Sequence, residues 1–227
     1  MNDMSRHNYT EEQREEILKK YANEMSIIKL RTEQIFSAIS RFDYREPAVE
    51  YMALQLRKII EQILLASLVA NAEEYKNYHN RLGTEWNAKY ICRDIERINP
   101  DFFPKAVNNR PDFQIDDKPG GISSQEILIV YDKLGKYLHS KNPFDNNQWD
   151  YNSTAEYIIF NTKRIIYTLN SHNVTLFGGE AFLNVVMKSQ EHNGQVHAVW
   201  FDKCGEEEQQ NAKEIIKAQI ERTKKKM

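Results

Sequence analysis

Residues 47–70 read PAVEYMALQLRKIIEQILLASLVA, and this stretch decides the fold class. Pro47 suits the first turn of a helix, where a missing N–H costs nothing. Val49, Met52, Ala53, Leu56, Ile59, Ile60, Ile63 and Leu64 then recur at steps of three and four, the period of one helical face. From Ile63 to Ala70 the residues are apolar almost all round. A helix of that kind has to be surrounded, so its C-terminal half is expected at the centre of a bundle, with Leu64 in the core.

Outward from this segment the same period continues. Thr10 to Phe42 predicts a long helix. Thr10 is the N-cap, Glu11, Glu12, Glu15 and Glu16 favour the N-terminal end, and Ile17, Leu18, Tyr21, Met25, Ile28, Ile35, Phe36 and Ile39 form the stripe. A short joint at residues 43–46 separates it from the second helix. A third helix is expected from Thr84 to Asn99, with Ile91, Ile95 and Ile98 on one face and Pro100 as its stop. Asp101 to Gly121 holds three prolines and two glycines and reads as a loop of unusual length, often a functional feature. Ser123 or Ser124 caps a fourth helix, and Glu126 is placed for a capping box with Ser123. That helix is expected to reach Asn142, because a residue before proline avoids the helical region. A fifth helix is expected from about Ser153 to Asn170, carrying Ile158, Ile159, Ile165, Ile166 and Leu169.

After Asn170 the period changes. Val174 to Phe177 is a short strand candidate, Gly178-Gly179 a turn, and Phe182 to Ser189 and Val196 to Phe201 flank Asn193-Gly194, a strong hairpin signal. Gly205 precedes a last helix, Glu206 to about Lys225, acidic at its start and basic at its end. The expected fold is mainly α: a helical bundle over residues 1–171, then a small β-β-β-α appendage over 172–227.

The chain has 227 residues and a net charge of -2, so it is no basic nucleic-acid coat and any anion-binding surface must be local. No apolar run approaches about 18 residues, so no transmembrane helix is expected. The first residues are polar, without the apolar stretch of a secretory signal, and Cys92 and Cys204 are far apart. A reducing cytoplasm is the expected compartment. The sequence contains no P-loop, Gly-x-Gly-x-x-Gly, Cys-x-x-Cys or His-Glu-x-x-His. His192, His197, Asp202 and Cys204 match no zinc spacing and read as hairpin surface; neither metal nor cofactor is expected. Trp86, Trp149 and Trp200 read as packing residues.

Two places stand above this background. Arg57 and Glu61 are four apart on the second helix, at the edge of its apolar stripe, where a charge needs a partner. They form either an ion pair clamping two helices or a polar cluster supporting a site on a neighbouring helix. The second place is YDKLGKYLHSKNPF, residues 131–144. Gly135 costs about 1 kcal/mol in a helix relative to alanine, so it clears space for a neighbouring helix or for a ligand reaching His139 one turn later. Lys133, Lys136 and Lys141 surround that histidine. Such a group binds phosphate and exchanges protons near neutral pH, unless His139 simply packs and anchors the Asn142-Pro143 turn.

The order of a helix with Leu56-Arg57-Lys58-Ile59-Ile60-Glu61, a middle helix, and a helix ending in Gly135 and His139 before a turn resembles the HEPN superfamily over about residues 45–170. Many members of that superfamily are metal-independent endoribonucleases of toxin–antitoxin, abortive-infection and antiviral defence systems. They commonly form dimers that bring two Arg-x(4 to 6)-His motifs into one cleft, the histidine in acid/base chemistry and the arginine on the scissile phosphate. On this chain the histidine maps to His139. The arginine positions hold Asp132, Lys133 and Leu134, of which only Lys133 is basic, a point charge without the arginine fork. The resemblance implies an RNA-binding protein, with His139 and Lys133 as catalytic candidates and Lys136, Lys141, Asn142, Arg57 and Glu61 as binding candidates. It also implies a homodimer and a protein partner encoded nearby. Other branches are non-catalytic, so an interaction module is the alternative expectation, and a nucleotide sensor using the same basic residues is a third.

Overall fold

A computed structural model describes residues 9–41, 46–78, 84, 87–107, 120–139, 144, 150–189 and 191–203. The expected last helix, with Cys204, and the residues Trp86, Lys141, Asn142 and Trp149 lie outside the described residues.

The first helix, α1, is Glu11–Arg41 and the second, α2, is Glu46–Ala70. Thr10 caps α1 reciprocally with Gln13: its Oγ1 accepts from the Gln13 N–H at 3.2 Å, and its own N–H donates to Gln13 Oε1 at 2.9 Å. The two helices run antiparallel. Tyr51 donates to Gln34, and Arg31 bridges Gln55 and Gln62 along their outer edge. On α2 the predicted stripe is buried, and Ala66, Ser67, Leu68 and Ala70 add to it, so its C-terminal half is enclosed. Leu64 is fully buried.

The helix α2 breaks at Asn71, and a short helix α3, Ala72–Tyr78, follows that the sequence reading did not anticipate. Helix α4, Ala88–Ile98, begins after Asn87, whose side chain accepts from the Lys89 N–H. It is thus shorter at its start than the expected span from Thr84. The buried Asn71 and Asn99 side chains close this corner. Asn99 Nδ2 donates to Asn71 Oδ1 at 2.9 Å and to the Thr175 carbonyl at 2.8 Å.

Helix α5, Ser124–Gly135, opens on the predicted Ser123–Glu126 capping box. Glu126 also receives Arg164 at 2.7 Å, and these donors hold its carboxyl down at about 2. The expected continuation to Asn142 is corrected: α5 stops at Gly135, a 3-10 turn covers Lys136–Leu138, and His139 is extended. The weak helix propensity of Gly135 and the tightening common in last turns account for the early end. Helix α6, Tyr151–Leu169, is capped by Asp150, two positions before the expected start.

The three expected strands are present, and a fourth joins them. Strands β1 (Lys105–Ala106), β2 (Ser171–Thr175), β3 (Ala181–Val186) and β4 (His197–Asp202) form one antiparallel sheet in that order. The short β1 comes from the segment read as loop and pairs Lys105 with Asn173 and Ala106 with His172. A two-residue strand carries too little alternation to be visible in sequence. The Gly178-Gly179 turn is present, with both residues at positive φ. Asn193 and Gly194 have φ of 53° and 76°, and the Gln195 N–H donates to the His192 carbonyl at 2.9 Å, which defines a type I′ turn at the tip of a longer loop. One sheet face, with His172, Val174, Leu183 and Val185, is buried with the bundle core. Trp200 packs edge-on to Tyr9 and beneath Arg14, which pairs with Asp202 at 2.7 Å. Among the described residues no helix is long and apolar enough to cross a membrane.

Bundle and sheet meet at a buried polar chain. His172 Nδ1 lies 2.7 Å from the Leu169 carbonyl, which can only accept, so Nδ1 carries the hydrogen. Nε2 is then the acceptor, and the Tyr21 hydroxyl donates to it at 2.9 Å. Both residues are fully buried. Burial pushes the His172 imidazole down to about 4, against a smaller opposing effect of the Leu169 hydrogen bond, and pushes the Tyr21 phenol up.

Two outcomes follow. Leu64→Ala should lower stability by about 2–5 kcal/mol in urea titrations, the range for fully buried leucines. The second concerns pH. The unfolded chain protonates His172 near 6.5, whereas the folded chain resists until about 4. The neutral imidazole therefore contributes full stability above 6.5 and progressively less as pH falls from 6.5 to 4, a loss of about 3 kcal/mol over that window. In His172→Gln the pH slope of unfolding free energy over that window should be shallower by about one proton.

Candidate functional site

The candidate residues divide between α2 and the C-terminal end of α5, which pack on each other. Arg57 leans from α2 across α5. Its guanidinium carbon lies 3.6 Å from the Tyr131 ring centroid, and Nη1 donates to the Tyr131 carbonyl at 3.3 Å. Glu61, one turn on, takes the Tyr131 hydroxyl at 3.1 Å, Lys58 Nζ at 2.9 Å and Arg57 Nε at 3.6 Å. Arg57 and Glu61 are 25% and 17% exposed, so the pair sits at the rim of the core rather than inside it. Burial raises the Tyr131 phenol; the Arg57 charge opposes this and Glu61 reinforces it.

Gly135 now has a physical reason. A β-carbon built there would stand 3.1 Å from Arg57 Nη1. Its backbone is ordinary right-handed helix, so the demand is for space and not for an unusual dihedral. Of the two roles expected for this glycine, the one the contacts display is room for a neighbouring helix, specifically for its arginine head. Arg57 and Glu61 are likewise an inter-helix clamp, with Tyr131 as the hub. The sequence gives Tyr131 no site role of its own; its position four before Gly135, on the same face, is the available signal.

The lysines lie outward. Lys133 is exposed and places Nζ 3.7 Å from the Tyr157 ring centroid on α6, a cation–π contact. No sequence signal linked Lys133 to Tyr157. The neighbouring Asp132 pairs with Lys89 of α4 at 2.7 Å. Lys136 and His139 are exposed, on and just after the 3-10 turn, and that turn packs on α2. The exposure of His139 sets aside a packed histidine at this position. Lys141 and Asn142 lie outside the described residues. The structure thus joins Arg57, Glu61, Tyr131 and Gly135 into one cluster and leaves Lys133, Lys136 and His139 as a basic surface beside it.

Away from this region, His192 and His197 stack with centroids 3.9 Å apart on the hairpin, while Asp202 is taken by Arg14 and by Trp200 Nε1 at 2.9 Å. Cys92 is buried, and desolvation followed by the Glu96 charge raises its thiol to about 12, which makes it a poor nucleophile.

No protein-family model, no curated protein and no solved structure matches this chain.

The Gly135–Arg57 contact is testable by a double-mutant cycle. In the wild type, Gly135→Ala should be near neutral, because the helix gain of about 1 kcal/mol is spent on displacing the stacked guanidinium. In an Arg57→Ala background the same change should stabilise by about 1 kcal/mol. A coupling of roughly 0.5–1 kcal/mol in urea denaturation is the expected result, and additivity would refute the contact.

Proposed function

We propose that this is an RNA-directed, HEPN-like protein of the defence or toxin–antitoxin type, which binds RNA or a nucleotide-like anion across a homodimer. Lys133, Lys136 and His139 meet the phosphates, the Arg57–Glu61 clamp holds the base of that surface, and Lys141 and Asn142, outside the described residues, are binding candidates from the sequence alone. The observation that carries this reading is the exposed cationic end of α5, where the side chains of Lys136 and His139 have no ion-pair or hydrogen-bond partner among the described residues. Lysines so placed neutralise phosphates and release counterions. A neutral imidazole beside them takes a proton from a ribose 2′-hydroxyl as it attacks the adjacent phosphorus, and an imidazolium returns one to the departing 5′-oxygen. Lys133 stabilises the phosphate as a point charge, weaker than a forked guanidinium, so binding is the primary activity in this reading and cleavage a slow one.

A second reading has its own support. Arg57 is bound to Tyr131 and Glu61, and Lys133 is held over Tyr157. Cations used in this way favour a non-catalytic dimerisation or protein-interaction module.

A filter-binding titration with single-stranded RNA at low and moderate salt separates the two. The wild type should bind at low salt with affinity falling as salt rises. Lys133→Glu and Lys136→Glu should each weaken binding and reduce the salt slope by about 0.7–1. His139→Ala should retain binding and lose any cleavage of total RNA. Equally negligible affinity of wild type and Lys133→Glu at low salt would replace this reading with the interaction module.

A further inference from the structure

A cavity of about 140 Å³ opens between α1, α6 and the start of the β3–β4 loop, remote from the lysines of α5. Its inner wall is aliphatic: Ile28 from α1, Ile165 and Leu169 from α6, and Met187 from the loop, all buried. Its mouth is polar and cationic. Lys29 and Lys188 line it together with Thr32 and Asn170, and no carboxylate does. Lys29 Nζ donates to the Gly194 carbonyl at 2.7 Å, and the Lys188 stem runs beside the same glycine. The type I′ turn therefore holds both ammonium-bearing chains at one rim. Lys188 is exposed and forms no ion pair among the described residues. The Asn170 backbone, in the same lining, is committed at both ends, to Ile166 and to Met187.

The size and the charge point to one kind of occupant. Apolar cavities of about 150 Å³ accept a benzene-sized body. An aliphatic wall selects an apolar body, and two lysines without a competing acid select one negative charge at the open end. We propose that this cavity binds a small hydrophobic carboxylic acid, of one aromatic ring or a short branched chain, with its carboxylate between Lys29 and Lys188. The site is independent of the RNA surface. Its occupant touches α1, α6 and the β3–β4 loop at once, so binding fastens the hairpin to the bundle.

The test is an NMR titration of the full chain with phenylacetate, beside phenethylamine, which keeps the ring and reverses the charge, and acetate, which keeps the charge and lacks the ring. Phenylacetate should give saturable shifts at Met187 and the loop, with affinity at least about tenfold above either control. Lys188→Glu, on an exposed side chain, should weaken phenylacetate at least about tenfold with an unchanged circular dichroism spectrum. Ile165→Phe should block it by filling the cavity. Equal binding of phenylacetate and phenethylamine, or full affinity in Lys188→Glu, would overturn the carboxylate assignment. Absence of saturation by phenylacetate would overturn the site.

Discussion

A helix apolar around most of its circumference can be buried only if other elements enclose it, and α2 imposes that requirement on this chain. Helices α1, α3, α4, α5 and α6 and the 3-10 turn after α5 all pack on it. Its charged middle stretch, Arg57 to Glu61, lies where α5 arrives. There the enclosure is completed by charge and aromatic stacking: the guanidinium covers Tyr131, and Gly135 leaves room for it. The helical end that carries His139 is positioned by this contact.

Some buried polar groups, such as Ser67 and Thr162, turn back onto a carbonyl four residues earlier in their own helix, while others are satisfied by a partner from a distant part of the chain. Asn99 reaches Asn71 and the end of β2, Tyr9 donates to the buried Glu74, and Tyr21 reaches His172. An unmade bond at any of these would cost more than the bond contributes, so these groups specify which elements meet. Hydrophobic packing alone tolerates several arrangements of similar volume; a fully buried neutral imidazole with both nitrogens used tolerates very few.

Much of the fold was legible because its signals are local. The stripe of α2, the Ser123–Glu126 box and the Asn193-Gly194 turn each depend on residues within one or two turns of each other. The sequence misled where a distant partner decides the outcome. Strand β1 exists because β2 offers an edge, and α3 begins where Asn71 meets Asn99. At the candidate site, Arg57 and Glu61 were legible as an edge pair and Gly135 as a spacer. Their common partner Tyr131, and Tyr157 beneath Lys133, required the packing of α5 against α2 and α6.

The small strand β1 bears on the order in which the protein assembles. Strands β2, β3 and β4 follow one another as a meander and can pair soon after they emerge. Pairing Lys105 with Asn173 instead closes a loop that contains all of α5 and α6. The chain entropy of so long a closure is recovered only once those helices are compact and their ends are close. The edge strand β1 is thus tied to the packing of α5 and α6, since only a compact helical layer brings Lys105 to Asn173 at a modest entropic cost.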